Sequence, residues 1–194
     1  MRERYQLFRA TRESVLSQDG DFQWVLSFDE RTPESHMSKI LSDERMIGTT
    51  LTVWDYFKEY EPDTEWIITQ RMDNDDILLP GAVTAIQKEF KPALMVIDIE
   101  YYQYDLISGN RYTSGNVNKG ERHRLGCTSP FLSLVEPTDY IKTCYSRPHN
   151  KLMGGYPFED GTLGPIGGMK IRTPFALMVV HSENLGNKIT GFKV

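Results

Sequence analysis

Asp73, Asn74, Asp75 and Asp76 stand side by side, directly after the apolar run Trp66 to Thr69 and just ahead of a Pro80-Gly81 pair. Two carboxylates one residue apart at a strand end converge on one point once the chain turns, and unpaired they repel. A divalent cation removes that repulsion, and Mg2+ or Mn2+ prefers oxygen ligands. Mg2+ keeps several waters and takes one or two carboxylates plus substrate phosphates. Asp73-Asn74-Asp75 therefore suits a metal–diphosphate. An EF-hand calcium loop needs Gly at its sixth position, where this chain has Leu78. The plain alternative is that Asp75 or Asp76 caps the helix that follows, or shapes a turn.

Arg71, just before the cluster, offers a guanidinium to phosphate or to a neighbouring Asp. His181 ends the apolar run "FALMVV", and imidazole is an acceptable Mn2+ ligand. Asp29-Glu30, Asp73 to Asp76 and His181 thus end three strand-like runs. In open α/β sheets ligands bind beyond the carboxyl ends of the strands.

The elements that must position these groups read as follows. Residues 3–17 form an amphipathic helix with Tyr5, Phe8, Val15 and Leu16 on one stripe. Phe22 to Phe28 is apolar on both faces and reads as a central strand. Helical character is expected in 36–46 and in "WDYFKEY", with a β-rich stretch at Gly48 to Val53. A helix spans Gly81 to Phe90, with Pro80 near its start. Ala93 to Asp105 is a long strand, and the turn Ser108-Gly109-Asn110 leads to a returning strand at Arg111 to Thr113. Ser129 to Glu136 is a strand, and "PTDYIKTCY" reads as a helix opened by Pro137. Residues 153–173, rich in Gly and Pro, read as a mobile loop over a site. The expected fold is a mixed, mainly parallel central sheet flanked by helices on both faces.

The 194 residues suit one domain, with residues 1–90 as a nucleotide-sugar and metal half and 91–194 as an acceptor half. The net charge of −5 gives no global bias toward nucleic acid or anionic membrane. Cys127 and Cys144 are too few for a disulfide framework. No apolar run reaches the roughly 18 residues of a membrane span. The amino terminus lacks the apolar core of a signal peptide. A cytoplasmic protein, peripheral at most to a membrane's inner face, is expected.

The segment "RMDNDDILLPGAV" resembles the metal-binding segment of GT-A-fold glycosyltransferases, where a strand leads into D-x-D-D. More narrowly, "LFRATRESVLSQDGDFQWVLSFDERTP", "ITQRMDNDD", "SPFLSLVE" and "VVHSENLGN" together resemble the putative rhamnosyltransferase family over about residues 7 to 187. The resemblance implies a GT-A-like three-layer fold. It implies transfer of a sugar from a nucleoside-diphosphate sugar to a hydroxyl of a glycan, lipid-linked or other acceptor, in surface polysaccharide or glycan synthesis. It implies Mn2+ or Mg2+, with Asp75 as main metal ligand, Asp73 at the metal or the nucleotide ribose, and His181 completing the metal shell or touching the diphosphate. Asp76 supports the metal or donor sugar, and Asn184 orients His181 or binds phosphate.

An inverting reaction needs a base opposite the leaving group. The candidates are Glu136, which ends a strand, His149 in "SRPHNKL", and Glu159-Asp160 in the Gly-rich loop. GT-A folds carry a strand before the helix equivalent to residues 3–17. This chain starts at that helix, so an N-terminally incomplete sheet is expected.

Other classes fit less well. A phosphotransferase of the haloacid dehalogenase type wants Thr or Val after its second Asp, where this chain has Asp76 and Ile77. A metal-dependent nuclease would want basic substrate-facing patches, and only the short run Asn118 to Gly126 is basic. A non-catalytic carbohydrate- or nucleotide-binding protein is the remaining alternative.

Overall fold

The computed structural model describes residues 2–113, 129–181 and 189–194. In chain order the elements are α1 (Arg2–Leu16), β1 (Trp24–Ser27), α2 (Glu34–Ile40), β2 (Met46–Thr49), α3 (Val53–Glu59), β3 (Trp66–Gln70), β4 (Ile77–Leu78) and α4 (Ala82–Lys88). There follow β5 (Met95–Asp105), β6 (Arg111–Thr113), β7 (Leu132–Pro137), a 3-10 helix at His149–Gly154, β8 (Tyr156–Pro157), β9 (Leu163–Gly164) and β10 (Gly167–Val180).

The sheet is not the mainly parallel, three-layer sheet that the sequence suggests. Six strands form a strongly curled half-barrel, in the order β3-β7-β5-β10-β4 with β6 on β5. Its pairings are antiparallel except for β5 with β10. The reason lies in β7. The crossover from β3 through α4 to β5 leaves β3 and β5 pointing the same way, as strand–helix–strand units do. Then β7 inserts between them in the opposite direction, so one expected parallel pair becomes two antiparallel ones. The curl follows from length and irregularity. β5 spans 11 residues and β10 spans 14, and β10 slips register on either side of Pro174. Such bulges bend a strand and admit a proline that has no N–H to give.

β7 and β5 are buried on both faces because the sheet has a core on each. Side chains alternate along a strand. Met95, Ile97, Ile99, Phe131 and Val135 join Val15 of α1 and Ala82 and Ile86 of α4 in one cluster. Val96, Leu132 and Leu134 join Cys144, Leu152 and Tyr156 in the other.

Further expectations are corrected. β1 is not central: it pairs in parallel with β2 in a separate two-stranded sheet, and Trp24, Val25 and Leu26 are only half-buried. The α1 stripe holds at Val15, and Phe8 stacks on Trp24 at 6.1 Å, but Tyr5 is exposed. No helix forms over residues 137–145, and Pro137 ends β7 instead. Thr143 in that segment has φ 65, left-handed backbone that a helix does not accept. The Gly- and Pro-rich stretch 153–173 is not one long loop: it holds β8, β9 and the first half of β10.

Candidate metal–diphosphate site

β3 delivers the acidic cluster. Thr69 is buried within the strand, Gln70 is its last residue, and the chain turns so that the Asp76 N–H donates to the Asp73 carbonyl at 3.3 Å. The following β4 is fixed from two sides. It pairs with β10 at Leu78↔Ala176 and Ile77↔Leu177, and Ser14 Oγ on α1 accepts the Leu78 N–H at 3.1 Å. Gln18, just past α1, then donates to Leu79 O and accepts from Val83 N, which seats the start of α4. Gly81 makes the corner with φ 83, a conformation that favours glycine.

This frame separates the three aspartates by environment. Asp76 is 3% exposed, and its Oδ1 accepts the Val179 N–H of β10 at 3.0 Å. Burial, and after it the neighbouring Asp75 and Asp73 carboxylates, pushes Asp76 up to about 8. Asp75 turns toward the end of β10, where its Oδ2 lies 3.0 Å from His181 Nε2. The two residues are 106 positions apart in sequence. Asp73 accepts Nε and Nη2 of Arg71 at 3.2 and 3.1 Å. The Arg71 guanidinium carbon also sits 5.4 Å from the centroid of the Tyr145 ring.

The donor chemistry fits a small divalent cation. Asp75 Oδ2 and His181 Nε2, hydrogen-bonded to each other at 3.0 Å, are one oxygen and one nitrogen donor close enough to face the same cation. Among the described residues no group of three or more His, Cys, Asp or Glu side chains is arranged to hold a metal. Asp75 and His181 would be the two protein donors to such a cation, with waters and substrate phosphate supplying the rest. Asp73, expected at the metal or the nucleotide ribose, is ion-paired with Arg71.

The other expected site residues are dispersed. Asn184 lies outside the described residues. Glu136 is 0% exposed. Its two carboxylate oxygens accept Lys142 N at 2.7 Å, Thr143 N at 2.8 Å, the Tyr156 hydroxyl at 2.9 Å and the Thr69 hydroxyl at 3.3 Å. Burial raises its pKa, and those donors oppose the rise. A carboxylate so enclosed organises the loop after β7 and has no open face for an acceptor hydroxyl. It also accounts for the missing helix: Lys142 and Thr143 direct their N–H groups to this side chain rather than to helical carbonyls. His149 opens the 3-10 helix and is half-buried.

Glu159 and Asp160 are exposed in the β8–β9 turn. Asp160 Oδ1 accepts the Thr162 N–H at 2.9 Å and the Thr162 hydroxyl at 2.6 Å, and these bonds hold its pKa below the usual carboxylate value. Asp29, another strand-end acid, is exposed and paired with Arg31.

Tyr145 is the residue that sequence reasoning missed. It lay in a segment read as helix, and nothing in "TCYS" signals a ring laid on Arg71.

Asp76 carries a pH prediction for the metal-free protein. Its folded pKa is raised from 3.8 to about 8. Its contribution to stability is therefore fully present below about pH 4 and is lost as pH rises through 8. Asp76→Asn keeps an oxygen for the Val179 N–H. It is expected to remove most of that slope, on the order of 2–4 kcal/mol between pH 4 and 8. Urea unfolding of both proteins in EDTA checks this; equal slopes would contradict it.

Comparison of the chain with protein-family models, with curated proteins and with solved structures finds no match in any of the three.

Proposed function

We propose that the protein is a divalent-metal-dependent glycosyltransferase that moves a sugar from a nucleoside-diphosphate sugar to an acceptor hydroxyl. The observation that carries this reading is the meeting of Asp75 and His181 at 3.0 Å from positions 106 apart in the sequence, with Arg71 paired to nearby Asp73. The sequence resemblance to putative rhamnosyltransferases supports it and supplies the word rhamnose. The architecture does not, so the reading rests on the site.

A cation bound at Asp75 and His181 would stabilise negative charge on the departing diphosphate. Arg71 contributes from the protein side. Its Nε and Nη2 are spent on Asp73, and Nη1 has no hydrogen-bond partner among the described residues. That edge is free for a phosphate oxygen, where a guanidinium gives a charge-assisted bond. Asp73 keeps the fork oriented. Asp76, held in the sheet by Val179, fixes where Asp75 points.

For an inverting reaction we assign the base to the β8–β9 turn, where Glu159 is exposed and without a partner among the described residues. The acceptor is a hydroxyl of a glycan or a lipid-linked sugar, and the reaction belongs to surface polysaccharide or glycan synthesis. The protein works in the cytoplasm, peripheral at most to a membrane's inner face. No helix among the described residues is long and apolar enough to cross a membrane.

A second reading, a non-catalytic nucleotide- or carbohydrate-binding protein, draws on the enclosure of Glu136, with His149 half-buried in the 3-10 helix and Glu159-Asp160 exposed in the β8–β9 turn. The two readings part in one assay. The protein is incubated with a panel of nucleoside-diphosphate sugars and Mn2+, and release of nucleoside diphosphate is followed. Slow Mn2+-dependent release from one donor, ended by EDTA, is expected. Mn2+-dependent binding with no release from any donor would favour the second reading.

A further inference from the structure

We propose that Tyr145 is a positioning residue, its ring holding the Arg71 guanidinium in the orientation that meets an anionic diphosphate. The choice of ligand rests on the function proposed above; the positioning rests on geometry alone.

The loop after β7 follows the end of β3 residue by residue. The Cys144 N–H donates to Thr69 Oγ1 at 3.0 Å, within β3. Two residues further along the chain, just past the end of β3, the Tyr145 ring lies 5.4 Å from the Arg71 guanidinium carbon. Thr69 and Arg71 are thus gripped in succession by two consecutive residues of one loop.

That loop is itself anchored. Glu136 takes the Lys142 and Thr143 N–H groups, and Thr143 adopts φ 65 to present them. Thr143 Oγ1 then accepts the Tyr145 N–H at 3.2 Å, and its carbonyl accepts the Ser146 N–H at 3.0 Å. A β-branched residue held in left-handed backbone costs energy and persists only where its surroundings over-determine it. Here they deliver Tyr145.

The consequence for Arg71 is a fixed plane. Asp73 holds two of its nitrogens in the plane of the fork, and Tyr145 restrains it by a cation–π contact. An arginine held this way loses less freedom on meeting a phosphate than a solvated one. Tyr145 acts through Arg71, and the ligand need not touch it.

The test uses the whole chain with Tyr145→Phe and Tyr145→Leu, and two readouts. The first needs no ligand. The Arg71 Nε–H resonance, assigned by its loss in Arg71→Lys, is expected to carry a ring-current shift in the wild type. The Phe variant keeps that shift and the Leu variant loses it. The second is calorimetric titration with Mn2+ alone and with Mn2+–pyrophosphate, a probe without base or sugar. Tyr145→Leu is expected to weaken pyrophosphate about tenfold, with affinity for Mn2+ alone unchanged. Tyr145→Phe binds pyrophosphate as the wild type does.

The proposal is overturned if Leu keeps the resonance position and the affinity, or if Phe loses as much as Leu. It is also overturned if Leu loses Mn2+ affinity in equal measure, which marks collapse of the site. Should Tyr145→Leu not fold, the Phe variant decides by the same two readouts. A wild type that binds no Mn2+–pyrophosphate would sink the functional reading, and the Arg71 resonance alone would then decide the positioning claim.

Discussion

Replacing Asp75 with Ala is expected to weaken Mn2+-dependent nucleoside-diphosphate binding by at least about a hundredfold, ~2.7 kcal/mol, while the fold stands. The two halves of that result have separate causes. Asp75 is the carboxylate that faces His181, and a cation left with one imidazole and waters loses its charged protein ligand. Its side chain is about a quarter exposed, and its partner in the described structure is His181. A partly exposed pair of this kind contributes about 1 kcal/mol or less to folding. Titration calorimetry with and without Mn2+, next to a thermal melt, reads both halves. Wild-type affinity in the variant would remove Asp75 from the metal site. A variant that unfolds would show that the carboxylate serves the fold.

Glu136 is expected to behave in the opposite way. Glu136→Leu should destabilise the protein by about 3–5 kcal/mol, a fall in Tm of roughly 10 °C. The variant strands Lys142 N, Thr143 N and the Thr69 hydroxyl in an interior where each unpaired group is costly, while the Tyr156 hydroxyl keeps the Tyr140 carbonyl. Glu136→Gln retains one acceptor oxygen and should cost about 1–3 kcal/mol.

The pH dependence has a definite sign. Burial raises the folded pKa of Glu136 above 4.5. Its contribution is therefore fully present below pH 4.5 and is lost as pH rises through the folded value. Glu136→Leu removes that slope along with the stability. Denaturant unfolding across pH 4 to 8 checks both. A neutral Glu136→Leu variant would mean that its loop is held by something else. A variant of normal stability lacking only transfer activity would return Glu136 to the list of bases.

Local structure was legible in this sequence where one signal dominated. Ser108-Gly109-Asn110 gave the β5–β6 hairpin, and Arg111 to Thr113 is the strand expected. Apolar β3 ending at the acidic cluster was also visible, as was α4 after Pro80. Sheet topology was not. The expectation of a parallel sheet came from strands alternating with helices in the first half, and that alternation does orient β3 and β5 alike. It carries no information about β7, which comes from the second half and inserts between them.

The doubly apolar sequence of β1 suggested a central strand, but a two-stranded sheet with one helix stacked on it half-buries the same residues. The helix expected after Pro137 failed because a buried carboxylate competes for the same N–H groups. That contest is decided by tertiary structure.

The site was legible in its residue types and not in its wiring. Crowded Asp73, Asp75 and Asp76 looked alike in sequence. In the fold one is paired with Arg71, one faces His181, and one is buried against β10. His181 stood out because it ends an apolar run, and β10 does bring it to Asp75. Glu136 and Tyr145 gave no such cue. A strand-end glutamate looks the same whether it faces an acceptor or a knot of backbone donors, and a tyrosine looks the same wherever its ring lies.

The central claim is that Asp75 and His181 hold a divalent cation that in turn holds a diphosphate. Calorimetric titration of the wild-type protein with a panel of nucleoside diphosphates, with Mn2+ and with EDTA in its place, tests it most directly. The account predicts saturable one-site binding of at least one nucleoside diphosphate that appears with Mn2+ and vanishes with EDTA. Binding that is indifferent to the metal, or absent for every nucleotide with Mn2+ present, would contradict it.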